Sequence, residues 1–114
     1  MHQFRQLVGR SYIPPKWAFG NAQSRWSYMN EDEVREVVAN YRANHMPLDA
    51  VVLDIDYMER YKDFTVDAQR FPRFADFAAE MKAQGIRLVP IIDAAVKVEE
   101  GYDVYEEGVK NGYF

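Results

Sequence analysis

Two aspartates close the most apolar run of the chain. In VVLDIDYMERYKDF, Val51 to Phe64, Asp54 and Asp56 follow Val51, Val52 and Leu53. Aspartate is among the poorest strand residues, so a pair at a strand tip calls for a chemical reason. If the strand continues, alternation points Asp54 and Asp56 to one side and Ile55 to the other. Like charges on one side repel and raise one pKa unless a donor, a cation or a polyol lies between them. The competing reading is that one acid only caps the following loop in solvent, and this is the state expected of Asp56. A third acid, Asp93, is expected at the end of the later apolar run IRLVPIIDAA, Ile86 to Ala95.

Other chemistries find no support in the spacing. Counted from Asp54, a calcium loop would need glycine where Glu59 stands and a bidentate glutamate where Thr65 stands. His2 and His45 are not spaced as zinc ligands, and His45 reads as a surface or helix-end residue. There is no Gly-x-Ser-x-Gly, P-loop or dinucleotide fingerprint. The acids stand alone as chemistry, with no metal site and no cofactor expected.

The elements that must carry these acids alternate. YIPPKW, Tyr12 to Trp17, is extended because each proline fixes its own φ and pushes its predecessor out of the α region. AFGNAQSRW holds a short strand weakened by Gly20 and Asn21. NEDEVREVVANYRANH reads as a helix with Asn30 as N-cap, Glu33 three residues on, and Val34, Val37, Val38 and Tyr41 on one face. MPLDAVVLDID restarts as a strand covered on both faces. FPRFADFAAEMKAQG gives a second helix, with Pro72 near its first turn, Phe74, Phe77, Ala78 and Met81 on one face and Gly85 as its stop. IRLVPIIDAA is the third strand, although Pro90 argues against a central one or marks a bulge. YDVYEEGVKNGYF is a short helix limited by Gly108 and Gly112. The order β-α-β-α-β-α implies an α/β fold with a parallel sheet, either small and open or part of something larger. In such sheets ligands collect at the C-terminal ends of the strands, where the acids fall.

Composition narrows the partners. The 114 residues suit one small domain, residues 1–114, and 48% are hydrophobic, enough for an ordinary core. The net charge of -4 comes with scattered basic residues, so no cationic track for nucleic acid exists. The absence of cysteine fits a reducing compartment. MHQFRQLVGR lacks a signal-peptide core, and no run approaches the roughly 20 apolar residues that span a bilayer. The chain is therefore expected to be soluble and cytoplasmic, with no membrane partner. Aromatics make up 15% of it, and aromatics with acids suit sugars, whose rings offer an apolar face and whose hydroxyls reach carboxylates; most single aromatics nonetheless serve packing.

The segments GRSYIPPKWAFG, QSRWSY, LDIDYM, DFTVD, FP and IIDAAVKVEEGYDVYEEGVKNGYF, in this order over essentially the entire chain, resemble glycoside hydrolase family 31, the retaining α-glucosidases and their relatives. The resemblance implies the early part of a catalytic (β/α)8 TIM barrel, about its first three β/α units with parallel strands. It implies an α-glucosidase that hydrolyses terminal α-linked glucose with retention and without metal or organic cofactor. Its substrate would be an α-glucoside or oligosaccharide. Carried over residue by residue, Trp26 would line the non-reducing glucose subsite, Asp54 would bond the sugar's distal hydroxyls, and Ile91 would line the same pocket, with Ile55 and Asp93 as neighbours. A core tryptophan packing the barrel end is the other reading of Trp26.

Retaining glycosidases use two carboxyl groups about 5 to 5.5 Å apart, and in this family both come from later strands. No residue of this chain is therefore expected to be catalytic, and the chain alone is expected to be inactive. YMNE, Tyr28 to Glu31, imitates the tail of the nucleophile motif but has Tyr28 where an aspartate belongs, so it reads as a helix cap. Asn21, where many relatives have phenylalanine, and Ala94, where proline is common, depart from the pattern and are expected beside the pocket. Uncovered sheet edges imply self-association. Two further classes fit the residues: a free-standing carbohydrate-binding or interaction module, and a metal-dependent glycosyltransferase reading Asp-x-Asp as its cation site.

Overall fold

The chain folds as a three-stranded parallel sheet with helices on one face. A computed structural model describes residues 2–114; Met1 and the side chain of His2, and with them the zinc reading of His2, lie outside the described residues. The elements run α1 (His2–Val8), β1 (Ala22–Ser24), α2 (Glu31–Ala43), β2 (Ala50–Leu53), α3 (Phe74–Ala83), β3 (Arg87–Pro90) and α4 (Asp103–Asn111). The sheet order is β1-β2-β3, with Gln23 opposite Val51 and Val51 opposite Leu88. The expected alternation of strands and helices is thus present, and α1 is an element that hydropathy did not announce.

Local signals set most boundaries. The Asn30 side chain accepts from the Glu33 N–H at 3.0 Å and satisfies one of the donors that a helix start leaves free. That capping role accounts for the Asn of YMNE. Val34 and Val38 are buried and Val37 and Tyr41 half-buried, as one helical face requires. After α3, Gly85 takes φ +80°, a left-handed conformation cheap only for glycine. Gly108 behaves differently from expectation. It lies inside α4, where the Phe114 ring occupies the space a Cβ would need, and Gly112 at φ 67° ends the helix.

Alternation sorts the sheet's two faces. Val51 and Leu53 join Val34, Val38, Phe77 and Met81 in the core, and Leu88 packs against them. Gln23 faces the same layer, where it accepts from the Tyr41 hydroxyl at 2.6 Å. Ser24, Val52 and Val89, level with one another across the sheet, point to the other face, which no helix covers among the described residues and where Ser24 is exposed and the two valines half-buried. Parallel sheets are normally covered on both faces. The molecule is accordingly a slab of 48 × 48 × 23 Å with a radius of gyration of 18.0 Å, against about 13 Å for a compact domain of this length. Pro90 closes β3 without a bulge, and the next donor, the Ile91 N–H, reaches the Leu53 carbonyl at 3.3 Å. Among the described residues no helix is long and apolar enough to cross a membrane.

Candidate functional site

Three loops leave the C-terminal edge of the sheet, and the five residues singled out by sequence all lie on them. β2 ends at Leu53, one residue before Asp54, so the strand does not carry both aspartates. Asp54 keeps an extended backbone, φ -74° and ψ -155°, and then a 3₁₀ turn over Ile55–Tyr57 begins. Alternation therefore holds as far as Asp54 and puts it on the helix-free face with Val52. The turn breaks the pattern beyond it.

The two acids consequently meet different fates. Asp56 is not the solvated cap expected: it is 4% exposed, and its carboxylate takes the Arg70 guanidinium at 2.9 Å with the Tyr61 hydroxyl at 3.4 Å. The tight turn swings it off the strand direction and under the loop, where only a basic partner makes burial tolerable. Asp54 is half-buried, and among the described residues no side chain or N–H donates to its carboxylate. Asp56 is thus paired with Arg70, and Asp54 retains free acceptor capacity among the described residues.

Trp26 lies two residues past β1. Its neighbour Arg25 turns toward the helical layer, bonding Glu33 at 2.7 Å and covering the Tyr28 ring at 4.5 Å. Trp26 itself is 86% exposed, so it is not a core tryptophan of this chain. The ladders end at Ser24 with Val52 and at Leu53 with Pro90, so Trp26, Asp54 and Ile91 each begin or lie in the loop that follows its strand, and the Ile91 N–H still reaches the Leu53 carbonyl at 3.3 Å beside the end of β2. Ile55 and Ile91 are half-buried against the core, which anchors them. Asp93 is exposed and lies three residues beyond β3, not at the strand's end, because β3 stops at Pro90.

Asn21 does not lie beside this rim. It precedes β1, at the opposite edge, where its N–H bonds Asp49 at 3.0 Å and its amide bonds the Pro47 carbonyl at 2.9 Å. Ala94 does follow β3 on the rim side. A hollow of about 270 Å³ lies among Met58, Arg60, Tyr61, Asp67, Arg70 and Lys97, and neither Trp26 nor Asp54 lines it.

Sequence reading missed the residues that tie the loops together. The Tyr57 hydroxyl donates to the Ile91 carbonyl at 2.7 Å, and the Asp63 carboxylate accepts the Asp93 N–H at 2.9 Å. The Tyr102 hydroxyl donates to the Asp63 carbonyl at 2.8 Å. Arg60 pairs with Glu99, and Lys97 donates to the Arg60 carbonyl at 2.8 Å. Lysines and arginine beside Glu99 hold its carboxyl below the usual range. No local pattern marks these partners, since each pair is made only by the fold.

Comparison with known proteins extends the geometry. Residues 11–114 match the family model for the glycosyl hydrolases family 31 TIM-barrel domain. The chain is 46% identical over 114 residues to Alpha-glucosidase 2 of Bacillus thermoamyloliquefaciens, covering 100% of this chain and 14% of that protein. It is 37% identical to intestinal sucrase-isomaltase of Oryctolagus cuniculus, covering 95% of this chain and 6% of that one. Among solved structures, the α subunit of glucosidase II bound to alpha3-Glc2 superposes with a TM-score of 0.90 at 30% identity, over 96% of this chain and 12% of that chain. A family 31 α-xylosidase from Xanthomonas citri gives 0.85 at 29% identity, over 97% and 12%. The chain thus spans a small part of each relative it matches. With a match that leaves out only the first ten residues, and a one-sided parallel sheet that a closed barrel would complete, this chain belongs to the TIM-barrel domain of glycosyl hydrolase family 31.

Proposed function

We propose that the chain supplies one wall of the non-reducing glucose subsite in an α-glucosidase that cleaves terminal α-linked glucose with retention. The observation that carries this reading is that the loops bearing Trp26, Asp54 and Ile91 follow the C-terminal ends of three neighbouring parallel strands, with the Asp54 carboxylate unclaimed by any described donor. Such a carboxylate accepts two hydroxyl donors from one sugar in charge-assisted bonds. The Trp26 ring offers the apolar face that a pyranose covers. Ile55 and Ile91 bound the pocket from below, and Asp93 stands at its margin.

The nucleophile and the acid/base belong to later strands of the barrel, on this reading, and reach the glucose from walls outside these residues. Incubating the 114-residue chain with an aryl α-glucoside is therefore expected to release no aryl alcohol, measured by absorbance over hours. Robust turnover by the purified chain defeats the assignment.

The chain alone is also proposed to self-associate. β1 and β3 each pair on one side only, and Val98, Val109, Tyr113 and Phe114 are exposed. Open edges and bare apolar surface favour pairing with a second copy. Light scattering is expected to report a mass above one chain, rising with concentration; a clean monomer at high concentration counts against it.

A further inference from the structure

The loop that carries Ile91 and Asp93 has no regular structure of its own, yet both of its ends are held from one neighbouring segment. Tyr57 takes the carbonyl of Ile91 and Asp63 takes the N–H of Asp93, so the two backbone groups that flank Ile92 are each fixed by a buried side chain. Asp63 is 3% exposed, and its own carbonyl is fixed by the Tyr102 hydroxyl. The same segment begins at Asp54, which means one rigid piece of chain sets both the sugar-facing carboxylate and the opposite loop. Burial raises the Tyr57 and Tyr102 phenols above their ordinary pKa, with the nearby Asp63 carboxylate adding to it, so both stay protonated donors at neutral pH. Lys62, buried beside the Tyr102 ring at 5.6 Å, and the Arg60–Glu99 pair close the same seam from the far side.

We infer that Asp63, with Tyr57, is a positioning residue for the glucose subsite: it touches no sugar but holds Ile91 and Asp93 at the spacing from Asp54 that a pyranose requires. This rests on the subsite reading of Trp26, Asp54 and Ile91. A backbone clamp of this kind acts on how well the ring is gripped. A loop shift of the order of an ångström is enough to weaken binding without altering the groups that break the bond.

The test uses the intact glucosidase containing this chain and separates KM from kcat. Asp63→Ala is expected to raise KM for a terminal α-glucoside about tenfold while kcat changes less than about threefold. Asp63→Asn, which keeps an acceptor oxygen for the Asp93 N–H, is expected to restore KM to within about threefold of the parent. A purely structural role would lower the yield of active enzyme and leave KM where it was. Should Asp63→Ala fail to fold, Tyr57→Phe decides alone, with a raised KM in favour and an unchanged one against. Asp54→Ala serves as the reference arm. If it weakens glucose binding while Asp63→Ala and Tyr57→Phe do not, the clamp is refuted and the subsite stands; if Asp54→Ala changes nothing, the subsite reading fails and takes the clamp with it.

Discussion

Replacing Asp54 with alanine in the full-length protein is expected, on the proposed subsite reading, to lower kcat/KM for a terminal α-glucoside by about a thousandfold, because two charge-assisted hydrogen bonds of about 1.5–3 kcal/mol each would disappear. The size follows from placement. Asp54 is half-buried at the rim with no described protein donor, so a sugar hydroxyl replaces only water when it arrives. The variant leaves the core intact, since Asp54 lies past the end of β2 and no ion pair among the described residues depends on it. A glucoside lacking the distal hydroxyls provides the control: parent and variant are expected to process it at nearly equal rates, because the interaction is missing from both sides of the comparison. An equal loss on both substrates would show that Asp54 acts on something other than those hydroxyls.

The second large effect concerns folding. Phe77→Ala is expected to cost about 3–5 kcal/mol, most of the stability of an ordinary small domain. Phe77 is 1% exposed and packs beside Phe71 at 6.2 Å between ring centroids, while the Arg35 guanidinium covers its face at 4.9 Å. Arg35 is itself held by Glu80 at 2.8 Å and Glu31 at 2.9 Å, so the ring stands where α2 and α3 are locked together. Urea unfolding followed by circular dichroism measures the loss. Trp26→Ala, which removes an exposed ring, is expected to move the same transition by less than about 0.5 kcal/mol. Similar shifts for both variants would erase the distinction between aromatics that build the slab and the exposed aromatic after β1.

Periodicity and capping are local, and they were legible. Val34, Val37, Val38 and Tyr41 describe a helical face whether or not anything packs on it, and Asn30 and Gly85 mark helix ends through bonds and dihedral angles spanning a few residues. The apolar runs identified β2 and β3, though both strands proved shorter than their runs. Hydropathy records burial, and Ile91 remains half-buried after the strand has ended. The same confusion placed Asp93 at a strand end it does not occupy.

Chain order and the residues of the motifs were enough to establish the family and the parallel sheet, and to put Trp26, Asp54, Ile55, Ile91 and Asp93 in the segments that follow the strands' C-terminal ends, since parallel strands deliver every following loop to one edge. Tertiary structure alone decided the difference between Asp54 and Asp56, the inclusion of Gly108 within α4, and the displacement of Asn21 to the opposite edge. It also created the clamps of Tyr57, Asp63 and Tyr102, which join residues 34, 30 and 39 positions apart. The physical reason is common to all of them. A carboxylate's burial, or a hydroxyl's partner, depends on which distant backbone the fold brings within 3 Å, and no neighbouring residue encodes that distance.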